Sequence, residues 1–266
     1  MNQNLLNRRS EAGFTLVETL ISFAVLTVVI AVALSYVDRL QKVYVAESTK
    51  VDATTSARTL LDDMQRELHQ SGFPAARLFA PSVLISPATS DSRVAAGLVR
   101  VSSSDLQFEA DIDGDGQVES VRYTLMNSAG APASGGGNCP CTLQRSQVVK
   151  LNGSPTGQAT LYADALTNVI NSGGAAGGGA LSLTGSSAGG ANDTLFAAYK
   201  NASLFSAFDK NGATVALPID VSTNPKGVAK IKTIVINVNT LTSRVDMQTK
   251  APIPLSMKLA ATVNSY

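Results

Sequence analysis

The chain of 266 residues has no tryptophan, one histidine and two cysteines, and aromatic residues make up only 5% of it. A single histidine excludes a multi-histidine metal centre. It also leaves a Ser–His–Asp triad without support, because His69 falls in a predicted helix and reads there as a solvated side chain. Charge of either sign is scarce, at 15% of residues, and the net value is +1, so no basic field points to nucleic acid. No nucleophile–base set stands out, and an enzyme is not expected. Glycine and proline are missing from residues 14–71, which leaves that whole stretch without a helix breaker.

What the sequence does have is a long apolar run. Residues 14–37 (about 24 residues) are enough to cross a hydrocarbon core, and Glu18 is the only charged side chain among them. Arg8 and Arg9 precede the run, while Asp38, Arg39 and Lys42 mark its far edge. The positive-inside bias therefore keeps the short N-terminus in the cytoplasm and sends the rest outward. An acid at the centre of a membrane helix costs roughly 2.5–3.5 kcal/mol, and less near an interface, so Glu18 calls for a function. A Sec-type signal peptide is one reading, with Ala31-Val32-Ala33 as its small-x-small cleavage site. The run is long for such a signal, however, and neither that reading nor a plain anchor accounts for Glu18.

Gly13-Phe14-Thr15-Leu16-Val17-Glu18 resembles the class III signal of type IV pilins and pseudopilins. The resemblance implies that prepilin peptidase cuts between Gly13 and Phe14 on the cytoplasmic side and that Phe14 is N-methylated. Glu18 then becomes the fifth residue of the mature chain. Glu11 departs slightly from the usual basic leader. Cleavage creates a charged amine on Phe14 one turn from Glu18, and the two charges offset one another's burial, within one chain or between neighbouring subunits. The implied partners are other pilins or pseudopilins, the peptidase and an inner-membrane assembly platform. The implied location is a single-pass span in the bacterial inner membrane before assembly, and a periplasmic or cell-surface filament after it.

The stretch without glycine or proline predicts one helix of about 58 residues, roughly 87 Å long. Leu60, Leu61, Met64 and Leu68 form a stripe fit to pack on a globular head. The Thr- and Ser-rich section 48–57 is the expected bend or frayed part, and Gly72 with Pro74 should stop the helix. Strands are predicted at 97–101, 106–110, 118–126, 141–151, 230–238 and 255–263, with glycine-rich loops at 128–138 and 171–192. The expected fold is α+β, a long N-terminal helix with its outer half on an antiparallel β-sheet head, the lollipop shape the pilin resemblance also implies. Its parts are a leader (1–13), a membrane and assembly helix (14–37), an outer half (38–72) and the head (73–266). "LQFEADIDGDGQVESVRYTL", the later "LQRS" and a last strand near the C-terminus are similar in order to PilW-like minor pilins and GspJ-type pseudopilins.

Two local features remain. Asp111, Asp113 and Asp115 alternate, with Gly116 sixth, Gln117 seventh and Glu119 ninth, as in the first half of an EF-hand calcium loop. Position twelve is Arg122 and a strand follows, which excludes an EF-hand but leaves a calcium loop between strands. There the three aspartates would be ligands, with the Gln117 carbonyl and Glu119 adding to them. The competing reading is an acidic hairpin turn, although three uncompensated carboxylates in one turn repel. Cys139 and Cys141 lie outside the cytoplasmic membrane on this topology. They read as a local disulfide first, then as free or intermolecular thiols, and last as redox or metal chemistry. The leading function is thus a structural subunit of a type IV pilus or a type II secretion-like filament. The alternative is a Sec-exported or membrane-anchored calcium-binding module. Nucleic acid is not indicated, although DNA uptake is among the roles such filaments serve.

Overall fold

The computed structural model describes residues 15–127, 129–133, 139–171, 199, 202–246 and 251–263. Its first element is a single helix of 55 residues, α1 (Leu16–Gln70). Gly72 ends it by adopting a positive φ of 84° that a side chain would resist, and its N–H donates to the Glu109 carbonyl at 2.9 Å. The Thr- and Ser-rich section 48–57, expected to bend or fray, stays helical. Thr49 Oγ1 donates to the Ala46 carbonyl and Thr54 Oγ1 to the Lys50 carbonyl, so these hydroxyls bond back onto the helix instead of competing with it. The chain divides into two units, one ending at Val45 and the other beginning at Ala46, and α1 contributes to both.

The second unit is built on an antiparallel sheet of ten strands. They are β1 (Leu98–Val101), β2 (Asp105–Ala110), β3 (Glu119–Met126), β4 (Cys141–Val149), β5 (Tyr162–Val169), β6 (Phe205–Asp209), β7 (Thr214–Val215), β8 (Ile219–Asp220), β9 (Ile231–Val245) and β10 (Pro252–Thr262). The order is β7-β6-β9-β5-β4-β3-β2-β1-β8, with β10 on β9. β10 pairs with β9 from Thr233 to Val245, so β6 and β5 share the other side of β9. Ala57, Leu60, Leu61, Met64 and Leu68 of α1 are buried in one core with Phe108, Val121, Leu143 and Ile236 of the sheet. Each of these side chains apart from Ala57 contributes about 1.5–3 kcal/mol by leaving water. The α+β class and the antiparallel head expected from the sequence are both present.

The six predicted strands exist, and four more accompany them. β5 escaped notice because its sequence, YADALTNV, lacks a clean alternation, and Asn168 takes a positive φ of 58° near its end. β7 and β8 have two residues each, too short for any pattern. β9 also runs through 239–245, which reads as a polar connection. Asn239, Thr240 and Thr242 are buried there and bonded: Asn239 Nδ2 donates to the Tyr199 carbonyl, and Thr240 Oγ1 donates to the Asn168 carbonyl. Of the loop expected at 171–192, only Asn171 lies within the described residues.

Between α1 and β1 the chain makes three short 3-10 turns (Ala76–Leu78, Pro81–Val83, Ala88–Ser90) rather than regular structure. Two charged clamps hold this loop. Lys150, fully buried after β4, donates from Nζ to the Thr89 carbonyl (2.7 Å), the Val94 carbonyl (2.6 Å) and Oε2 of the equally buried Glu109 (2.7 Å). Asp91 accepts from the Ile85 and Arg93 N–H groups and from the Arg93 guanidinium, which holds its carboxyl well below the usual carboxylate range.

Candidate functional site

The start of α1 is closed by its own side chains. Thr15 stands at the cap position: its N–H and Oγ1 donate to Glu18 Oε2 at 3.4 Å, and the Glu18 N–H donates to Thr15 Oγ1 at 3.3 Å. This is the reciprocal capping box of a Thr-x-x-Glu sequence, legible in the residues but not read from them. Glu18 is otherwise exposed, as are the large apolar side chains that follow it. α1 is long and apolar enough to cross a membrane. Four serine and threonine hydroxyls within that run are satisfied by the helix itself. Thr19, Ser22, Thr27 and Ser35 donate to the carbonyls of Leu16, Glu18, Phe23 and Ala31 respectively. Gly13 and Phe14, the cleavage and methylation residues of the sequence reading, lie outside the described residues.

Within the second unit, α1 is fastened to the sheet by charge as well as by its apolar stripe. Glu67 is buried, accepts from Tyr123 Oη at 2.8 Å, and pairs with Arg145 of β4 at 2.6 Å; Arg145 Nε also donates to Tyr123 Oη at 3.1 Å. Burial and the Glu67 carboxylate push the Tyr123 hydroxyl well above its ordinary value, so it stays a donor. The sequence offered one signal for this network, an acid inside the Leu60–Leu68 stripe. A cleft of about 690 Å³ opens beside it, lined by Thr55, Thr59, Asp63, Glu67, Asp113 and Arg145 among others. Asp63 pairs with Arg66, and Glu67 with Arg145, so these charges serve the fold.

The acidic loop joins β2 to β3. Asp111, Asp113 and Asp115 bring carboxylate oxygens within 4.8 Å of one another, and Gly114 and Gly116 take positive φ values of 77° and 88°. An exclusively carboxylate donor set on a tight turn fits a hard cation such as calcium. The same oxygens also organise the turn. Asp111 accepts from the Gly114 and Gly116 N–H groups, Asp113 from that of Asp115, and Asp115 from the backbone and side chain of Gln117. Glu119 is not part of this cluster. It accepts from the Ile112 N–H, and its carboxyl is pushed up by burial and then by the three aspartate charges. Arg122, the residue at the twelfth position, makes a two-pronged pair with Asp105 (2.7 and 3.0 Å).

Cys139 and Cys141 are joined by a disulfide, both are buried, and Cys139 sits beside the Asn171 carbonyl. A covered bridge at the start of β4 is placed to fix the strand's entry rather than to exchange with external thiols.

One comparison with known proteins is informative. Residues 8–34 match the family model described as the prokaryotic N-terminal methylation motif, and the match supports a type IV pilin-like N-terminus. No curated protein and no solved structure matches the chain.

Proposed function

We propose that the chain is a minor pilin or pseudopilin, cut by prepilin peptidase between Gly13 and Phe14 and methylated on Phe14. It then assembles with other pilins, on an inner-membrane platform, into a type IV pilus or a type II secretion-like filament. The observation that carries this reading is the methylation motif over residues 8–34, whose span contains Gly13, Phe14 and Glu18. The capping geometry supports it. Glu18 Oε2 lies 3.4 Å from the Thr15 N–H, directed at the helix end next to which the Phe14 amine would appear. Glu18 would then neutralise that amine, or the amine of a neighbouring subunit, when the helix leaves lipid for the filament. Calcium at Asp111, Asp113 and Asp115 would serve as a brace of the head in this role.

Mass spectrometry of the mature chain from membranes tests the reading. The expected product begins at methylated Phe14. A product beginning at Leu34, or an uncut chain in cells holding an active prepilin peptidase, would overturn it.

A further inference from the structure

Among the described residues the sheet has three outer edges, and they are not alike. β7 and β8 have two residues each, and β8 is followed closely by the short helix α2 (Pro225–Val228). β10 has eleven residues and pairs with β9 alone among the described residues. A long edge strand presents a row of unpaired N–H and C=O groups that can template pairing with another chain.

The direction of the free backbone groups can be read from the two ends of the strand. Ile253 N–H donates to Thr242 Oγ1 and Val263 N–H to the Lys232 carbonyl, both towards β9. Pairing is regular from Pro254 to Thr262, so residues of that parity face β9. Ser256, Lys258, Ala260 and Thr262 therefore turn their N–H and C=O groups outward. Pro254 shares this outward parity and has no N–H to offer, which limits the receptive stretch to its C-terminal side.

The side chains fit an added strand as well. Leu255, Met257 and Leu259 are only partly buried, with Met257 and Leu259 packed against the edge of the core, so a neighbour on this side would finish covering them. On the other face Ser256, Lys258, Ala260 and Thr262 are exposed, and Lys258 is the sole charge of the strand. A second copy of β10 pairing antiparallel about Leu259 would set Lys258 against Ala260 and leave the two lysines diagonal neighbours, a repulsive arrangement. A strand carrying a carboxylate opposite Lys258 complements the edge better.

From this geometry we infer that the outer edge of β10 receives an extended segment of another protein chain. That segment has apolar residues at alternate positions, which lie beside Leu255, Met257 and Leu259, and an acidic residue that faces Lys258. It adds to the sheet by main-chain hydrogen bonds to Ser256, Lys258, Ala260 and Thr262. This inference is independent of the filament the chain joins.

The test uses the full chain in detergent micelles and a capped synthetic heptapeptide of alternating valine and threonine with a central glutamate. Hydrogen exchange resolved to single amides should slow at Ser256, Lys258, Ala260 and Thr262 when the peptide is added, and stay unchanged at Met257 and Leu259. Exchanging the central glutamate for lysine should weaken binding about twofold to fivefold, and Lys258→Glu should reverse that preference. A peptide N-methylated on alternate backbone nitrogens should not bind, which tests the ladder without altering the protein. Equal binding of the N-methylated peptide, or unchanged exchange at the four outward amides, overturns the inference. A concentration-dependent dimer in which those amides are already protected also overturns it, by giving the edge to a second copy.

Discussion

Replacing Lys150 by methionine should be among the most damaging single changes in the head. The ammonium is completely buried and holds three acceptors, the Thr89 and Val94 carbonyls and Glu109 Oε2. Methionine keeps the bulk but strands all three. Glu109 would retain one donor, the Ala96 N–H at 2.8 Å, while its Oε1 already lacks a partner. Breaking a buried pair from one side costs about 3–5 kcal/mol, roughly a fifth or more of the stability of a typical domain.

The charge left behind predicts a pH dependence. Burial already pushes the Glu109 carboxyl above its ordinary 4.5, and Lys150 opposes that push. In Lys150→Met only the Ala96 N–H still opposes the push, so the folded state binds a proton that the unfolded state has released above about pH 4.5. The variant therefore loses stability as pH rises, and its deficit should be larger at pH 8 than at pH 5. Urea unfolding of the full chain in micelles, run at both pH values, measures this. Exchange at the Ala95 and Gly153 amides, which bond to the Pro74 and Ser90 carbonyls, should quicken as the loop loosens. Adding Glu109→Gln should recover part of the loss. A deficit under about 1 kcal/mol with the same pH dependence as the parent would refute the reasoning.

Four other perturbations separate the parts of the molecule. Glu18→Ala should be processed normally yet fail to enter filaments, and recovery of the variant in sheared fibres at parental levels would remove the assembly role of that carboxylate. Met64→Ala, at a fully buried position under the sheet, should cost about 2–5 kcal/mol in the same urea assay. Calcium at a hundredfold excess over its dissociation constant should stabilise the head by about 2.7 kcal/mol. Asp113→Asn, which keeps an acceptor for the Asp115 N–H, should abolish that gain, and no thermal shift in millimolar calcium would leave the loop as a turn only. The Asp220 carboxyl is held down to about 2 by the Ser222 hydroxyl and the Thr223 N–H. Its stabilisation is complete above about pH 4 and lost as pH falls through about 2, so the gap between parent and Asp220→Ala should close across that window in acid titrations.

Most of the secondary structure was legible because it rests on local pattern. The missing glycine and proline foretold α1, and the apolar stripe foretold which side of it is buried. The failures have physical causes. Asn239, Thr240 and Thr242 read as a connection because polar residues usually face water, yet Asn239 Nδ2 donates to the Tyr199 carbonyl and the two threonine hydroxyls donate to the Asn168 and Arg244 carbonyls. Nothing local in the sequence marks Lys150, Glu109, Glu67 and Asp91 as buried. Their burial depends on partners that no local window contains.

Separation along the chain explains the contrast between the two candidate sites. Thr15 and Glu18 are three residues apart, so helix geometry alone brings them together. Glu67 and Arg145 are 78 residues apart, and Lys150 and Glu109 are 41 apart, so their meeting is an outcome of the fold rather than of any spacing. Phe14 lies four residues before Glu18, which is one helical turn. On the proposed reading, one carboxylate would cap the helix in the precursor and would face the amine that cleavage creates without changing its place. Both demands fall within five residues, so a fixed local spacing is enough to make them legible in the sequence. The clamps of the head are free to use any pair of positions the sheet brings together, and they leave no comparable trace.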